Sequence, residues 1–240
     1  MGLTKSYHAV LAYDKTLKGN MRFKAETYFQ YLYDIPVDVE NSSYSLVNSG
    51  SGFSRLFPDS LQNGGTGRNY GFEFTLEKYF SGGYYFLVTA SLFDAKYKGS
   101  DDVLRNTTFN GRYAFNTLFA KEIALKNGSA VNIGGKATLV GGRWYGPVDE
   151  LASAQQLEVI YQDANVNSIQ FRPYFRLDAK VSYRWNQPKV THELAFDLVN
   201  LLNIQNILTL TYSPDSPDGN PIREEYQLGF LPLFYYKIDF

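Results

Sequence analysis

Phe230-Leu231-Pro232-Leu233-Phe234-Tyr235-Tyr236-Lys237-Ile238-Asp239-Phe240 closes the chain. Read with a period of two, Phe230, Pro232, Phe234, Tyr236, Ile238 and Phe240 share one face, and Leu231, Leu233, Tyr235, Lys237 and Asp239 share the other. Alternation of this kind is the pattern of a β-strand, whose successive side chains point to opposite sides of the sheet. A water-soluble sheet rarely ends in so aromatic a strand, because a free edge invites association. A closed membrane-spanning barrel has a use for it, with one face on lipid and the other on the lumen. A C-terminal strand buried in a soluble sheet is the alternative reading of these residues.

The same alternation recurs along the chain. Residues 20–35 put Met21, Phe23, Ala25, Thr27, Phe29, Tyr31 and Tyr33 on one side, against Arg22, Lys24, Glu26, Tyr28, Gln30 and Asp34. A helix needs a 3.6-residue period, which this segment lacks. Further strands are expected at about 5–16, 68–80, 84–98, 111–125, 130–144, 173–185 and 190–206 before the closing one. Asn200 falls on the apolar face of its strand and marks an expected bulge. Tight turns are expected at Leu17-Lys18-Gly19-Asn20, Ser81-Gly82-Gly83, Lys126-Asn127-Gly128-Ser129 and Asn186-Gln187-Pro188-Lys189, where Gly and Asn accept positive φ. The intervening connections are long and polar, above all 36–67, 145–172 and the Pro-rich stretch before the last strand. Short turns at one end and long loops at the other are the asymmetry of transmembrane barrels. Strands of about 12 residues also exceed the ~9–11 that cross a bilayer at a tilt.

Composition agrees. Aromatics make up 17% of the 240 residues, with 20 Tyr and 18 Phe against 2 Trp. Barrel walls use such residues as lipid-facing bulk and as interfacial girdles. Mean hydropathy is −0.29, as expected where alternation hides a membrane face from window averages. A formal charge of −1 offers no basic footprint for nucleic acid. Cysteine is absent, which removes disulfides, thiolate metal sites and cysteine nucleophiles. His8 and His192 are the sole histidines, too few for a multi-histidine zinc site. No cofactor is expected. The first residues carry no secretory signal pattern, so a mature form or a piece of a longer protein is expected.

The fold class is therefore an all-β transmembrane antiparallel meander of about nine long strands. Bacterial single-chain barrels carry an even number of strands and leave no edge unpaired in lipid. An odd count is expected of a segment: residues 1–240 as the C-terminal part of a larger barrel.

Several stretches in order carry a family resemblance. They are Asn69-Tyr70-Gly71-Phe72-Glu73-Phe74-Thr75-Leu76-Glu77-Lys78, Gly83-Tyr84-Tyr85-Phe86-Leu87-Val88-Thr89-Ala90-Ser91 and Gly141-Gly142-Arg143-Trp144-Tyr145-Gly146-Pro147-Val148-Asp149. Phe175-Arg176-Leu177-Asp178 through Tyr183-Arg184-Trp185-Asn186, Asp197-Leu198-Val199-Asn200-Leu201-Leu202-Asn203-Ile204-Gln205-Asn206 and the closing strand complete the set. Together they resemble the C-terminal barrel half of TonB-dependent outer-membrane receptors, particularly the Bacteroidetes type. The resemblance implies a 22-stranded barrel around a plug, nutrient uptake coupled to TonB, and a multi-pass location in the outer membrane. The plug and the TonB-binding box lie N-terminal to the barrel in that family and have no counterpart here. Implied partners are outer-membrane lipid, the rest of the barrel with its plug, TonB through the missing N-terminal part, and the barrel-assembly machinery. Phe234, Tyr236, Ile238 and Phe240 resemble the C-terminal insertion signal that this machinery reads.

Candidate sites are few. Arg143, Trp144 and Tyr145, at a strand-to-loop transition, suit either a ligand contact or an interfacial girdle. Arg176, Asp178, Lys180 and Arg184, with Glu193 and Asp197 on the next strand, form an expected ladder of lumen-facing charges, joined by Glu73 and Glu77. The last two stand roughly 13 Å apart along their strand, too far for the ~5–9.5 Å of a glycosidase pair. No catalytic residues are expected, and no Ser/His/Asp set converges. Gly134-Gly135 and Gly141-Gly142 precede no helical pattern, so they are expected as strand bends near the membrane rim rather than a phosphate loop. Asp101-Asp102 and Asp215 with Asp218 suit weak Ca²⁺ binding or plain solvation. The expected function is a non-enzymatic receptor and transporter wall. Two rivals remain at this point: an outer-membrane barrel enzyme of protease or lipase type, and a soluble β-barrel that holds a small ligand.

Overall fold

Period-two segments bounded by Gly and Asn turns fold as expected into long antiparallel hairpins. The computed structural model describes residues 1–50, 60–217 and 219–240. Its strands are β1 (Lys5–Leu17), β2 (Met21–Asp38), β3 (Leu61–Ser81), β4 (Tyr84–Lys98), β5 (Leu104–Asn106), β6 (Tyr113–Ala124), β7 (Ala130–Val140), β8 (Trp144–Tyr145), β9 (Ile169–Gln170), β10 (Tyr174–Asn186), β11 (Thr191–Val199), β12 (Ile207–Tyr212), β13 (Ile222–Tyr226) and β14 (Leu231–Asp239). One sheet runs in the order β1-β2-β3-β4-β6-β7-β10-β11-β14, nine strands in a meander, with β5 paired to β4 off this path. β8 with β9 and β12 with β13 form small ribbons in the connections. Among the described residues β1 and β14 do not pair with each other, so each presents an open edge. No helix among them is long and apolar enough to cross a membrane.

Register divides the sheet into two unlike faces. Tyr13, Ala25, Phe74, Ala90, Phe115, Leu139 and Phe175 stand opposite one another across successive strands. So do Tyr183, Leu194 and Tyr236, and beside them Val181, Phe196 and Phe234. Each of the nine strands leaves a large side chain of this face exposed: Leu11, Phe29, Phe72, Leu92, Phe119, Ile133, Val181, Phe196 and Phe234. A soluble monomer seldom shows an apolar patch beyond a few hundred Å². This one crosses the entire sheet.

Turn chemistry sets the narrow end. Gly19 and Asn20, Gly82 and Gly83, and Asn127 and Gly128 all adopt positive φ, the conformation that two-residue hairpins demand. At the other end, where the long connections begin, the tips of β2 and β4 hold the larger buried apolar side chains of the described residues. Ile35, Val37 and Tyr97 are buried there. Gly65 makes this possible, since a Cβ on it would stand 2.4 Å from the Val37 side chain. For that reason β3 begins at Leu61, earlier than the expected residue 68, and the Gly-rich stretch 64–67 is strand rather than loop.

Three other expectations are corrected. The eighth long strand stops at Val199 instead of 206. Asn200 is no bulge: it turns the chain at φ +50, and its side chain accepts from the Ile204 N–H at 3.0 Å and donates to the Ile204 carbonyl at 2.9 Å. Gly134 and Gly135 sit in mid-strand opposite Ala120 and Phe119, not at a rim. The 145–172 connection contains α1 (Glu150–Gln156), started by Asp149, whose carboxylate accepts from the Ala152 N–H at 3.0 Å.

Candidate functional site

Glu73, Glu77, Arg176, Asp178, Lys180, Arg184, Glu193 and Asp197 share the face opposite the aromatic one, by the register of their strands. The ladder is internally paired. Arg176 bridges Asp178 at 2.9 Å and Lys180 reaches Asp197 at 3.5 Å. The Lys180 ammonium donates to the Tyr235 hydroxyl at 2.7 Å, which donates to Glu193 at 3.2 Å. Arg184 pairs with Glu122 of β6 at 2.8 Å rather than with Glu193, its neighbour in register. Glu73 accepts from Ser91 at 3.1 Å. The cations Arg176, Lys180 and Arg184 are thus each matched by a carboxylate, of Asp178, Asp197 and Glu122 respectively.

The geometry that can receive a ligand lies among the long connections, built from four of them. The chain after β2 meets the chain after β7 where Ser43 donates its N–H and hydroxyl to Asp163, at 3.1 and 2.5 Å. Arg105, on β5, is nearly buried against Asp101 at 2.6 Å and donates to the Ala164 carbonyl at 3.2 Å. Asn106 and Asn167 exchange side-chain to carbonyl hydrogen bonds at 3.4 and 2.9 Å. Thr108 donates its N–H to Asn48 at 3.1 Å. Apart from the local Arg105–Asp101 pair, each bond joins segments far apart in sequence, so the connections form one tied cap rather than separate loops.

Glycine lets these backbones touch. A Cβ on Gly141 would stand 1.7 Å from the Gly111 carbonyl oxygen, and one on Gly142 would stand 1.8 Å from that of Phe171. The Gly141-Gly142 pair is thus a crossing point that aims Arg143, Trp144 and Tyr145. The Arg143 guanidinium donates to the Leu208 carbonyl. Trp144 donates its indole N–H to the Asn110 carbonyl at 2.6 Å and carries the Arg112 guanidinium 5.0 Å from its ring centroid. Tyr145 stacks on Phe171 at 4.0 Å and 14°. The three surround, with Tyr44, Ser45, Tyr97, Tyr161 and Thr209, a cavity of about 340 Å³.

Electrostatics in the cap are set by pairing. Burial pushes the Asp101 carboxyl up, but hydrogen bonds from Arg105 and the Val103 N–H outweigh it and hold Asp101 below the usual carboxylate range. Hydrogen bonding to Asp101 likewise raises Arg105. Burial raises the Tyr161 hydroxyl. Asp101 and Asp102, weighed above as weak Ca²⁺ ligands, are taken by Arg105 and by Lys98 at 2.8 Å. No group of three or more metal-ligating side chains forms among the described residues, and Asp218 lies outside them. Of the residues that line this cavity, sequence reading singled out Arg143, Trp144 and Tyr145 and did not single out Tyr44, Ser45, Tyr97, Tyr161 and Phe171. Tyr44 and Ser45 follow β2, Tyr97 stands near the end of β4, and Tyr161 and Phe171 lie between β7 and β10, so no spacing links them.

At the C-terminus, Phe234, Tyr236 and Ile238 stand exposed on the aromatic face opposite Phe196, Leu194 and His192. Phe240 follows the end of β14 and is fully exposed.

No protein-family model matches the chain, and no curated protein matches it. Solved structures do. The ferric yersiniabactin uptake receptor FyuA from Yersinia pestis aligns over 99% of the chain with a TM-score of 0.62 at 14% identity. The iron transporter FrpB from Neisseria meningitidis (F3-3 variant) aligns over 98% with a TM-score of 0.52 at 12% identity. The chain spans 30% of the first protein and 31% of the second. Its fold matches that of part of each of these two proteins, in agreement with the β-barrel architecture expected from the sequence.

Proposed function

We propose that the chain is the C-terminal wall segment of an outer-membrane receptor and transporter barrel that takes up a nutrient with energy supplied through TonB. The observation that carries this reading is the continuous exposed aromatic face across all nine strands, backed by a charged face. Such a sheet is stable where lipid covers the first face, since each large apolar side chain removed from water contributes about 1.5–3 kcal/mol. The open edges of β1 and β14 cannot remain unpaired in hydrocarbon, so further strands of the same barrel continue the sheet from both. The narrow-turn end then faces the periplasm and the tied cap faces outward. The ladder from Glu73 to Asp197 lines the lumen, where a plug meets it. Phe234, Tyr236, Ile238 and Phe240 serve as the insertion signal. Both structural neighbours are named as an uptake receptor and a transporter, which favours transport over catalysis. A plug and a TonB contact belong to the remainder of the protein.

Protease shaving of intact cells tests the orientation. Trypsin added outside is expected to cut in the long connections, at Arg172 or Arg223, and to leave the turns at Lys18 and Lys126 intact until the outer membrane is opened. Cleavage at Lys18 or Lys126 in sealed cells overturns the reading.

A further inference from the structure

Charge is divided unevenly between the two ends of the sheet. At the cap end cations meet carboxylates: Lys5 bridges Asp34 at 2.8 Å, Lys98 bridges Asp102 at 2.8 Å and Arg172 bridges Glu224 at 2.9 Å. At the narrow end the turns 18–20, 126–128 and 187–190 carry Lys18, Lys126 and Lys189, and no turn at that end contains Asp or Glu. Lys15 and Lys121 stand close by on the aromatic face, opposite Phe23 and Tyr84 in register. All of these lysines are exposed, and none makes a hydrogen bond or ion pair among the described residues. Asp14, Glu122 and Asp239 also lie toward this end, but on the opposite face, where Arg22, Arg184 and Lys237 hold them at 2.5, 2.8 and 2.8 Å. Lys78 behaves differently: nearly buried, it donates to the Ser81 carbonyl at 2.8 Å and stands 4.1 Å from the Tyr84 ring centroid. Unpaired charges of one sign repel, and an anion set among them removes that cost.

Aromatic side chains at the same level indicate what supplies the anion. Tyr183 stacks on Trp185 at 5.4 Å, Trp185 on His192 at 5.0 Å and His192 on Tyr236 at 5.9 Å. A belt of Trp and Tyr settles where hydrocarbon gives way to headgroups. Lysine stems lie along such a boundary and place the ammonium in the headgroup layer. Asn186 donates to the Gly128 carbonyl at 3.0 Å, which ties the turns of Lys126 and Lys189 together beside this belt. From these observations we propose that the narrow end docks the phosphate headgroups of anionic phospholipids in the leaflet on that side. Lys126 and Lys189 form the centre of the surface, and Lys15, Lys18 and Lys121 extend it. The proposal rests on the reading of the aromatic face as lipid-facing.

Ile123 supplies the reporter position. It is exposed on the aromatic face, opposite Val131, and lies between Lys121 and Lys126 in sequence. The membrane-assembled protein with a fluorophore on Ile123→Cys is placed in bilayers that mix phosphatidylglycerol with phosphatidylcholine, one of the two brominated at a time. The expected result is stronger quenching by the brominated anionic lipid, an apparent preference of about fivefold or more, the worth of one lysine beside an anionic surface. Lys126→Gln with Lys189→Gln is expected to bring the preference close to parity, and Lys126→Arg with Lys189→Arg to keep it. Raising salt to about 1 M, where screening shortens to about 3 Å, is expected to weaken it without any substitution. A preference that survives the double Gln variant overturns the proposal. So does equal quenching by the two lipids in the unsubstituted protein, the outcome if these lysines meet only water or an acidic macromolecule; the lipid-facing wall then still stands. Quenching by neither lipid removes the wall reading as well.

Discussion

Single residues decide how the cap holds. Asp101 and Arg105 lose most of their water to meet each other, and removing one charge from such a buried pair is costly, about 3 kcal/mol or more. Asp101→Asn is therefore expected to loosen the connections without disturbing the sheet, read as increased trypsin cutting near Arg105 while β-sheet circular dichroism is unchanged. The same pair predicts an acid response with a definite sign. Asp101 is held below its ordinary value, so its contribution is full above about pH 4, where an unfolded Asp is ionised. It fades as pH falls through the depressed folded value. Trp144 emission is expected to shift on acidification below pH 4 and to lose that shift in Asp101→Asn. Asn200 is the other keystone. Its side chain satisfies the Ile204 N–H and carbonyl, and leaving such groups unpaired costs roughly 1–3 kcal/mol. Asn200→Ala is expected to destabilise the end of β11 by about that much, seen as faster amide exchange in residues 200–206.

At the scale of the element, the strand is the unit that sequence made legible. Positions 21–33 and 230–240 alternate so regularly that their faces could be assigned before any coordinates, and the Gly and Asn of the narrow turns pinned the register. The extension of β3 to Leu61 was hidden because Gly64, Gly65 and Gly67 resemble loop residues; in the strand, Val37 fills the space a Gly65 side chain would take, and Leu32 and Ile35 crowd that of Gly67. α1 and the β12–β13 ribbon were hidden for a different reason: each is too short for a period to show. The cavity was the least legible of all. Tyr44, Ser45, Tyr97, Tyr161 and Phe171 become neighbours through the Ser43–Asp163, Arg105–Ala164 and Asn106–Asn167 bonds, and no local motif encodes such contacts. The two faces of one strand make an element-level prediction. Phe72→Lys places a charge on the lipid face and is expected to cost about 2–4 kcal/mol, while Glu73→Gln, one residue on, is expected to cost less than about 1 kcal/mol. Folded fraction by heat-modifiable gel mobility reads the difference.

For the whole molecule, a sheet with almost no interior is the central fact. Its described core is confined to small groups such as Ile35, Val37 and Tyr97, and its largest apolar side chains are displayed. Such a chain is coherent only if its solvent changes from one face to the other. The absence of cysteine from these 240 residues makes this directly measurable, because an introduced thiol is unique within them. Cysteines placed singly at Phe72, Phe196, Glu73 and Glu193 are labelled with an environment-sensitive fluorophore in the membrane-assembled protein and exposed to brominated lipid and to aqueous iodide. Quenching by lipid at 72 and 196 and by iodide at 73 and 193 is the predicted result. Iodide quenching at all four positions, or burial of 72 and 196 from both quenchers, would contradict a lipid-facing wall.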